Sequence, residues 1–191
     1  MKYICKRCSH RWNPRKKEKP TICPNCKTPY WNKPTKITKE QTLRIKDKLI
    51  DIHNKIIHNT GGEFGIRDDG GLHYAIFNIL KFQNRENPIK TAAFVFDDLA
   101  KKHYFVDGNK RTAYIFTKIL LINQGFHLSL NYKNSVDFIL KIARYKNPKT
   151  KREIESWIKK YIKRINEKEI DKYLKEIYYD LTHGEENDKE R

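Results

Sequence analysis

The chain has 191 residues, the length of one medium-sized domain with a small appended module, and it carries a net charge of +18. Charged residues make up 34% of it, and no run of 18 apolar residues occurs, so we expect no transmembrane helix. The first residues, MKYICKRC, lack the apolar stretch of a secretory signal, and we therefore expect an intracellular, cytoplasmic protein.

Much of the positive charge lies in the first 36 residues, which hold eleven Lys and Arg but a single acid, Glu18. A net charge of +10 in so short a segment favours nucleic acid, RNA included, or an acidic protein as a partner. The alternative is a charged surface that serves solubility or stability at high temperature. The basic run RKKEK at residues 15–19 thus indicates either an RNA- or protein-binding module or a structural cap.

All four cysteines lie in this segment, as two Cys-x-x-Cys pairs separated by fourteen residues: Cys5, Cys8, Cys23 and Cys26. Two such turns can direct four sulfurs at one ion, which is the pattern of a zinc ribbon or a rubredoxin-like site. A closed set of four thiolates predicts structural zinc, and iron is the alternative ion. Disulfides are not expected without a secretory signal. Trp12, Tyr30 and Trp31 are predicted to cover one side of the site.

A linker is predicted at residues 33–36, and it divides the chain into a zinc ribbon at 1–36 and a helical domain at 37–191. Glycine is frequent at 59–71, where helical periodicity is lost and a connecting turn or hairpin is expected. Apolar residues at helical spacing predict seven helices, at 38–58, 72–82, 88–102, 109–124, 135–145, 151–165 and 167–182. The predicted fold class is all-α with one short hairpin.

Helix starts are marked by local signals. Thr38 with Gln41, and Thr150 with Glu153, have the spacing of capping boxes. Pro88 suits the first turn of a third helix.

Residues 103–113 read HYFVDGNKRTA, and an apolar helical pattern follows at once. A turn that enters a helix and carries Lys110 and Arg111 offers an anion backbone N–H groups and positive charge. His103 is suited to accept a proton from a hydroxyl group, and Asp107 offers a carboxylate to Mg²⁺. These are the groups needed to transfer a phosphoryl or nucleotidyl group.

The neighbouring residues of the run have roles of their own. Gly108 allows the turn, and Asn109, with the N–H groups of residues 108–111, is expected to bind phosphate oxygens. Phe105 is predicted to anchor the loop in the core. The charged residues also allow structural interpretations. Asp107 could cap the N-terminus of the following helix, and Lys110 and Arg111 could be solvated residues of its first turn.

This run resembles the signature of the Fic/Doc family, and it is most similar to the Doc (death-on-curing) branch. The resemblance covers about residues 38–145. It includes, in the family's order, His53 in IDIHNKII, GGEFGIRDDGGLHYAI at 61–76, TAAFVFDDLAKK at 91–102 and LLINQGFHL at 120–128. It implies a helical domain with a flap hairpin that orders the target beside the active site. Extra C-terminal helices, to about residue 182, lie outside it.

The resemblance implies a transferase that uses ATP and Mg²⁺, with His103 as the catalytic base. Where the adenylylating branch has a second Gly and a second Arg, this chain has Lys110 and Tyr114, as the Doc branch does. These two residues imply transfer of the γ-phosphate to a Ser, Thr or Tyr hydroxyl of a target protein. The implied target is the translation machinery, with growth arrest as the outcome and a separate antitoxin as restraint.

Two alternatives stay beside this interpretation. The chain is either such a kinase, or a protein adenylyltransferase, or a non-enzymatic zinc-ribbon module with an inactive Fic-like domain. The segment THGEEN at 182–187 also matches the pattern of an inhibitory helix found in some Fic proteins. Because Tyr114 replaces the Arg that its Glu engages, we expect a frayed terminus instead.

Overall fold

The structure is a computed structural model that describes residues 3–8, 10–14, 18–33, 37–83 and 87–183. Residues 15–17 of the basic run, residues 34–36 of the predicted linker and the tail from residue 184 lie outside the described residues. The division into two domains at residue 36 therefore stays a prediction.

Residues 3–33, which we call the cysteine module, begin with a short hairpin. Strands β1 (Tyr3–Ile4) and β2 (Arg11–Trp12) are antiparallel, and Tyr3 lies opposite Trp12. Trp31 packs edge-on against both rings, with a centroid distance of 5.1 Å to Trp12, and is buried. Trp12 and Trp31 thus belong to one small core with Cys5 and Cys23. Tyr30 is not part of this cluster and is 55% exposed, so its predicted role as a cover of the site stays a prediction.

Seven helices follow, and their order agrees with the predicted all-α class. Their bounds are α1 Lys39–Thr60, α2 Asp69–Gln83, α3 Pro88–Lys101, α4 Asn109–Ile122, α5 Tyr132–Ile142, α6 Lys151–Tyr161 and α7 Ile170–His183. Both capping boxes are confirmed: the Thr38 and Thr150 hydroxyls accept backbone N–H groups, and the side chains of Gln41 and Glu153 bond back.

Helix α4 is the central element of the helical core. Eleven of its fourteen residues are buried, and it packs against α3, α1 and α7. Phe105, Tyr114 and Phe96 are among the largest fully buried side chains, which confirms Phe105 as an anchor of the loop before α4. The loop between α3 and α4 is therefore held over a rigid core.

Several helices differ from their predicted bounds: α5 (Tyr132–Ile142) begins three residues before the predicted 135–145, and α7 (Ile170–His183) begins three residues after the predicted start at 167. The differences at α2 and α6 have identifiable local causes. Helix α2 begins at Asp69 rather than near residue 72, because the Asp68 carboxylate accepts the Gly71 N–H at 2.8 Å and caps the helix. Helix α6 ends at Tyr161 rather than near residue 165. The residues after it form strand β4 (Ile162–Arg164), which pairs antiparallel with β3 (Phe126–Leu128).

Helix α7 packs along α1 and α4 and is fastened by buried polar contacts. The Lys118 ammonium of α4 bonds to the Asp180 carboxylate at 2.8 Å, and both side chains are almost fully buried. The second oxygen of Asp180 accepts the Tyr132 N–H at 3.0 Å. The C-terminal helix is thereby tied to the centre of the fold.

Candidate active site

The loop between α3 and α4 presents His103 to solvent directly before a buried turn. His103 is exposed and its φ is 50°, in the left-handed region that residues other than glycine rarely adopt. The next two residues, Tyr104 and Phe105, are buried. Gly108 then takes a left-handed conformation at φ 68° and begins helix α4. The core thus holds the loop at Tyr104 and Phe105, while His103 is exposed to solvent.

The loop rests on His53, a buried residue of α1. The imidazole stacks on the Phe105 ring with a centroid distance of 3.8 Å, and its Nδ1 lies 3.2 Å from the Thr112 hydroxyl. Gly108 passes so close that a Cβ there would lie 2.8 Å from the Ile57 side chain and 3.4 Å from the imidazole. Only glycine fits both this space and the positive φ.

Burial and the nearby Arg111 guanidinium lower the pKa of His53 from 6.5 to about 4, against the opposing effect of Asp107. The imidazole beneath the loop is therefore neutral at physiological pH. Its Nε2 is buried without a hydrogen-bond partner.

Asn109 braces the loop rather than facing outward. Its carboxamide accepts the Phe105 N–H at 2.9 Å and donates to the Phe105 carbonyl at 2.8 Å, and the residue is buried. Both ends of the amide are thus occupied by one backbone unit of the loop. The part of Asn109 that remains available to an anion is its backbone N–H in the first turn of α4.

The glycine-rich segment runs antiparallel to the loop, in the place of the predicted flap. Ile66 pairs with Phe105 in an isolated bridge, flanked by hydrogen bonds from the Val106 N–H to the Gly65 carbonyl and from the Arg67 N–H to the Tyr104 carbonyl. Phe64 and Ile66 expose much of their side chains. The segment therefore forms one wall beside the loop.

Asp107 lies where this wall meets the loop. A Cβ on Gly62, whose φ is 114°, would lie 2.5 Å from an Asp107 carboxylate oxygen, so glycine is required for the close approach. The other oxygen accepts the Gly108 N–H at 2.5 Å. The side chain is half-exposed. A half-exposed carboxylate beside an anion-binding turn suits Mg²⁺, which is commonly held by one or two carboxylates together with substrate phosphates.

Arg111 joins the end of α1 to the start of α4. One guanidinium nitrogen donates to the Gly61 carbonyl at 3.1 Å and to the Thr60 hydroxyl. The other lies 3.6 Å from the Asp107 carboxylate. Its side chain is only 12% exposed, so Arg111 is not the solvated cation of the structural alternative. The guanidinium charge is instead fixed next to the helix N-terminus.

The first turn of α4 combines these features into one anion-binding arrangement. The N–H groups of residues 109–111 point along the helix axis toward the loop, and α-helices attract anions at this end. Lys110, which is partly exposed, and Arg111 add two positive charges. The first turn of α4 is therefore suited to hold a phosphate chain, and the exposed His103 precedes it in the same loop.

Tyr114 lies one helical turn beyond Lys110, but it does not reach this turn. It is fully buried, and its hydroxyl donates to the Leu130 carbonyl at 2.6 Å. Its ring packs edge-on against that of Tyr132, at a centroid distance of 5.5 Å and an interplanar angle of 67°. The position therefore contributes packing in the core and no charge to the anion site.

The four cysteines are brought together at the second candidate site. Their sulfurs all lie within 4.8 Å of one another, and the distances between Cys5 and Cys26 and between Cys8 and Cys23 are both 3.7 Å. A tetrahedral zinc with bonds of about 2.3 Å places its sulfurs about 3.8 Å apart. The cysteines are free of disulfides. The donor set and its spacing therefore fit one tetrahedral metal ion such as zinc.

The comparisons with known proteins agree with the geometry of the loop. The model of the Fic/DOC family matches residues 43–121, from the first turns of α1 almost to the end of α4. This part of the chain is similar to the Fic/DOC family, and at the level of the family the similarity supports a Fic-type transferase. No curated protein matches the chain. Within the described residues, no helix is long and apolar enough to cross a membrane.

Several residues that shape the site could not be identified from the sequence motif. Thr60 and Gly61 fix Arg111 through a hydroxyl and a carbonyl, and Gly62 makes room for Asp107. The only sequence signal at these positions was the Gly-Gly pair after a helix. Thr112 was hidden within an apolar helix, where its contact with His53 has no local signature.

Proposed function

We propose that the protein transfers the γ-phosphate of ATP to a hydroxyl group of a target protein. The observation that carries the proposal is the placement of an exposed imidazole, His103, directly before a braced anion-binding turn. In this reaction the target hydroxyl oxygen bonds to the γ-phosphorus, the bond from that phosphorus to the β,γ-bridging oxygen breaks, and ADP leaves. His103 accepts the hydroxyl proton.

The other residues have supporting roles in this proposal. The N–H groups of the first turn of α4, with Lys110 and Arg111, bind and neutralise the phosphates. Asp107 would hold Mg²⁺, which supplies further charge neutralisation on the phosphates when bound. Asn109 fixes the conformation of the loop that carries His103, through its two hydrogen bonds to the Phe105 backbone.

Transfer of the γ-phosphate, rather than the adenylyl group, is favoured by two positions on α4. Lys110 places a long cationic side chain where adenylylating relatives have glycine. Tyr114 is withdrawn into the core, so the second arginine of those relatives has no counterpart here. Because Lys110 adds a cation to the first turn of α4 and Tyr114 supplies none one turn further on, we infer that the terminal phosphate is presented for attack.

The resemblance to the Doc branch supports a toxin-like role on the translation machinery, restrained by an antitoxin. Structural zinc in the cysteine module is part of the same proposal, because the sulfur spacing fits it. Zinc-bound thiolates persist in a reducing compartment, which supports a cytoplasmic location.

Intact-mass analysis of lysate proteins incubated with the protein, Mg²⁺ and ATP tests the reaction. We expect a target whose mass increases by one phosphoryl group. An increase by one adenylyl group would instead support protein adenylylation. No modified protein in any lysate fraction would support the non-enzymatic alternative.

A further inference from the structure

We propose that the cysteine module binds a single-stranded nucleic acid through its exposed cations and the ring of Tyr30. This binding function is separate from the transfer reaction at the loop before α4. It rests on the charge and exposure of the module alone, and it can be tested in a protein with no transfer activity.

The positive charge of the module is not neutralised within it. All six of its described Lys and Arg residues are exposed: Lys6, Arg7, Arg11, Lys19, Lys27 and Lys33. Among the described residues, none of these cations forms a salt bridge, and Glu18 is the only acid in the first 36 residues. A zinc ion with four thiolates has a net charge of −2, so the first 36 residues keep a charge of about +8.

Three of the cations lie on the two turns that carry the cysteines. Lys6 and Arg7 lie between Cys5 and Cys8, and Lys27 directly follows Cys26. Because the sulfurs of Cys5 and Cys26 are 3.7 Å apart, the two turns are neighbours. We call Lys6, Arg7 and Lys27 the knuckle cations. Three exposed cations on two neighbouring turns suit the phosphates of a nucleic-acid backbone.

Tyr30 adds an exposed aromatic ring to the surface of the module, and solubility alone does not require such a ring. Its ring is 55% exposed, although its neighbour Trp31 is buried. The Lys33 ammonium lies 5.4 Å from the centre of the Tyr30 ring, and the Lys19 ammonium lies 5.9 Å from that of Trp31. An exposed ring with cations beside it is the arrangement on which a base stacks while its phosphate is neutralised.

Fluorescence anisotropy with a labelled 20-mer of oligouridylate tests the proposal. The protein is the zinc-loaded full chain carrying His103→Ala, so that transfer cannot contribute. The triple variant Lys6→Gln, Arg7→Gln, Lys27→Gln is compared with Lys141→Gln, Lys146→Gln, Lys159→Gln, which removes the same charge from exposed positions of the helical core. The salt dependence of the dissociation constant is measured for each variant.

We expect the knuckle variant to bind at least tenfold more weakly, with a salt-dependence slope that is smaller by about 0.7 for each phosphate that the variant leaves un-neutralised. The control variant should change affinity less than twofold. Equal losses of affinity in the two variants would overturn the proposal, because they would show a general charge effect. Failure of the parent protein to bind oligouridylate and oligothymidylate at low salt would overturn it too.

A second variant keeps the test valid if the knuckle substitutions disturb the metal, which elemental analysis of each variant detects. Tyr30→Ser leaves every cysteine and cation in place. We expect roughly tenfold weaker binding with an unchanged salt slope, because a stacking contact carries no charge. Unchanged affinity of this variant, or equally tight binding of polyglutamate of the same charge, would contradict the nucleic-acid assignment and favour an acidic protein.

Discussion

At the scale of the residue, His103 combines exposure with a conformation that is fixed by its neighbours. The left-handed φ of 50° places the imidazole outside the core, while Phe105 is buried two residues later. Among the residues that the structure describes, the His103 side chain forms no hydrogen bond or ion pair. Because the side chain is exposed, a substitution of His103 is expected to change the transfer activity without changing the stability of the fold.

We therefore predict that His103→Asn abolishes transfer, with a loss of roughly 10²- to 10⁴-fold, and leaves thermal unfolding unchanged. Asn tolerates the left-handed conformation and has no basic nitrogen. The matched control is His58→Asn, at an exposed position of α1. Activity is followed by label transfer from ATP and stability by circular dichroism. Full activity in the His103 variant would rule out its role as the base.

His53 is the opposite case, a buried imidazole that must stay neutral. Its pKa is about 4 in the folded protein, against 6.5 without burial. The unfolded chain therefore binds more protons between these values, and stability is lost as the pH falls from 6.5 to 4. The loop above it, through Phe105 and Thr112, should loosen in the same range.

We predict that the free energy of unfolding falls between pH 7 and pH 5, with His53 contributing up to about 2 kcal/mol of the change. His53→Asn lowers stability at pH 7 but shows a smaller loss on acidification, because the titrating group is absent. Urea denaturation at the two pH values measures both effects. An identical pH dependence in the two proteins would show that His53 does not titrate as inferred.

At the scale of the element, the helix starts that carry a local signal were predicted correctly to within one residue, whereas the starts of α2, α5 and α7 were displaced by three. The capping residues Thr38, Thr150 and Pro88 act within one turn, so they could be recognised from the sequence. The end of α6 depends on pairing of β4 with β3, which is distant along the chain. The start of α2 depended on Asp68 acting as a cap ahead of two glycines, a weak signal for a helix.

At the candidate site, too, local features could be predicted from the sequence, whereas contacts between distant parts of the chain could not. The sequence motif predicted which residues gather at the loop, because they are consecutive along the chain. It did not predict that the Asn109 side chain braces Phe105, nor that Arg111 is held by Thr60 and Gly61, because these contacts depend on how α1 meets α4. Direct roles of the motif residues in catalysis stay predictions.

Helix α7 is fastened by a buried ion pair whose loss should be costly. We predict that Asp180→Ala destabilises the fold by about 3–5 kcal/mol, because it leaves the Lys118 charge uncompensated. The double variant Lys118→Met, Asp180→Leu should be less destabilised than this single variant. Lys149→Ala, which breaks the exposed pair with Glu153, is the control and should cost less than about 1 kcal/mol. Equal costs at the two ion pairs would contradict the account.

At the scale of the whole molecule, the described residues form two separate hydrophobic clusters. One contains Cys5, Cys23 and Trp31, and the other is the helical core. The smaller cluster is too small to be stable by burial alone, so we expect its order to depend on a metal. The larger cluster has no such requirement.

We predict one equivalent of zinc in the purified protein, and its removal by a strong chelator at elevated temperature. Chelation should change the fluorescence of Trp12 and Trp31, because their cluster loses its metal, while the helical circular dichroism signal is retained. Elemental analysis and the two spectra check this in one titration. Metal-free protein with disulfides, or iron in place of zinc, would contradict the assignment.

The proposal that the γ-phosphate is transferred is tested most directly by labelled ATP. Purified protein, Mg²⁺ and a lysate containing the target are incubated in parallel with ATP labelled in the α- or the γ-phosphate. We predict incorporation from the γ-label alone, and a lower rate in Lys110→Gly, which loses a cation at the anion site. Incorporation from the α-label by the unaltered protein would contradict the proposal and identify the protein as an adenylyltransferase.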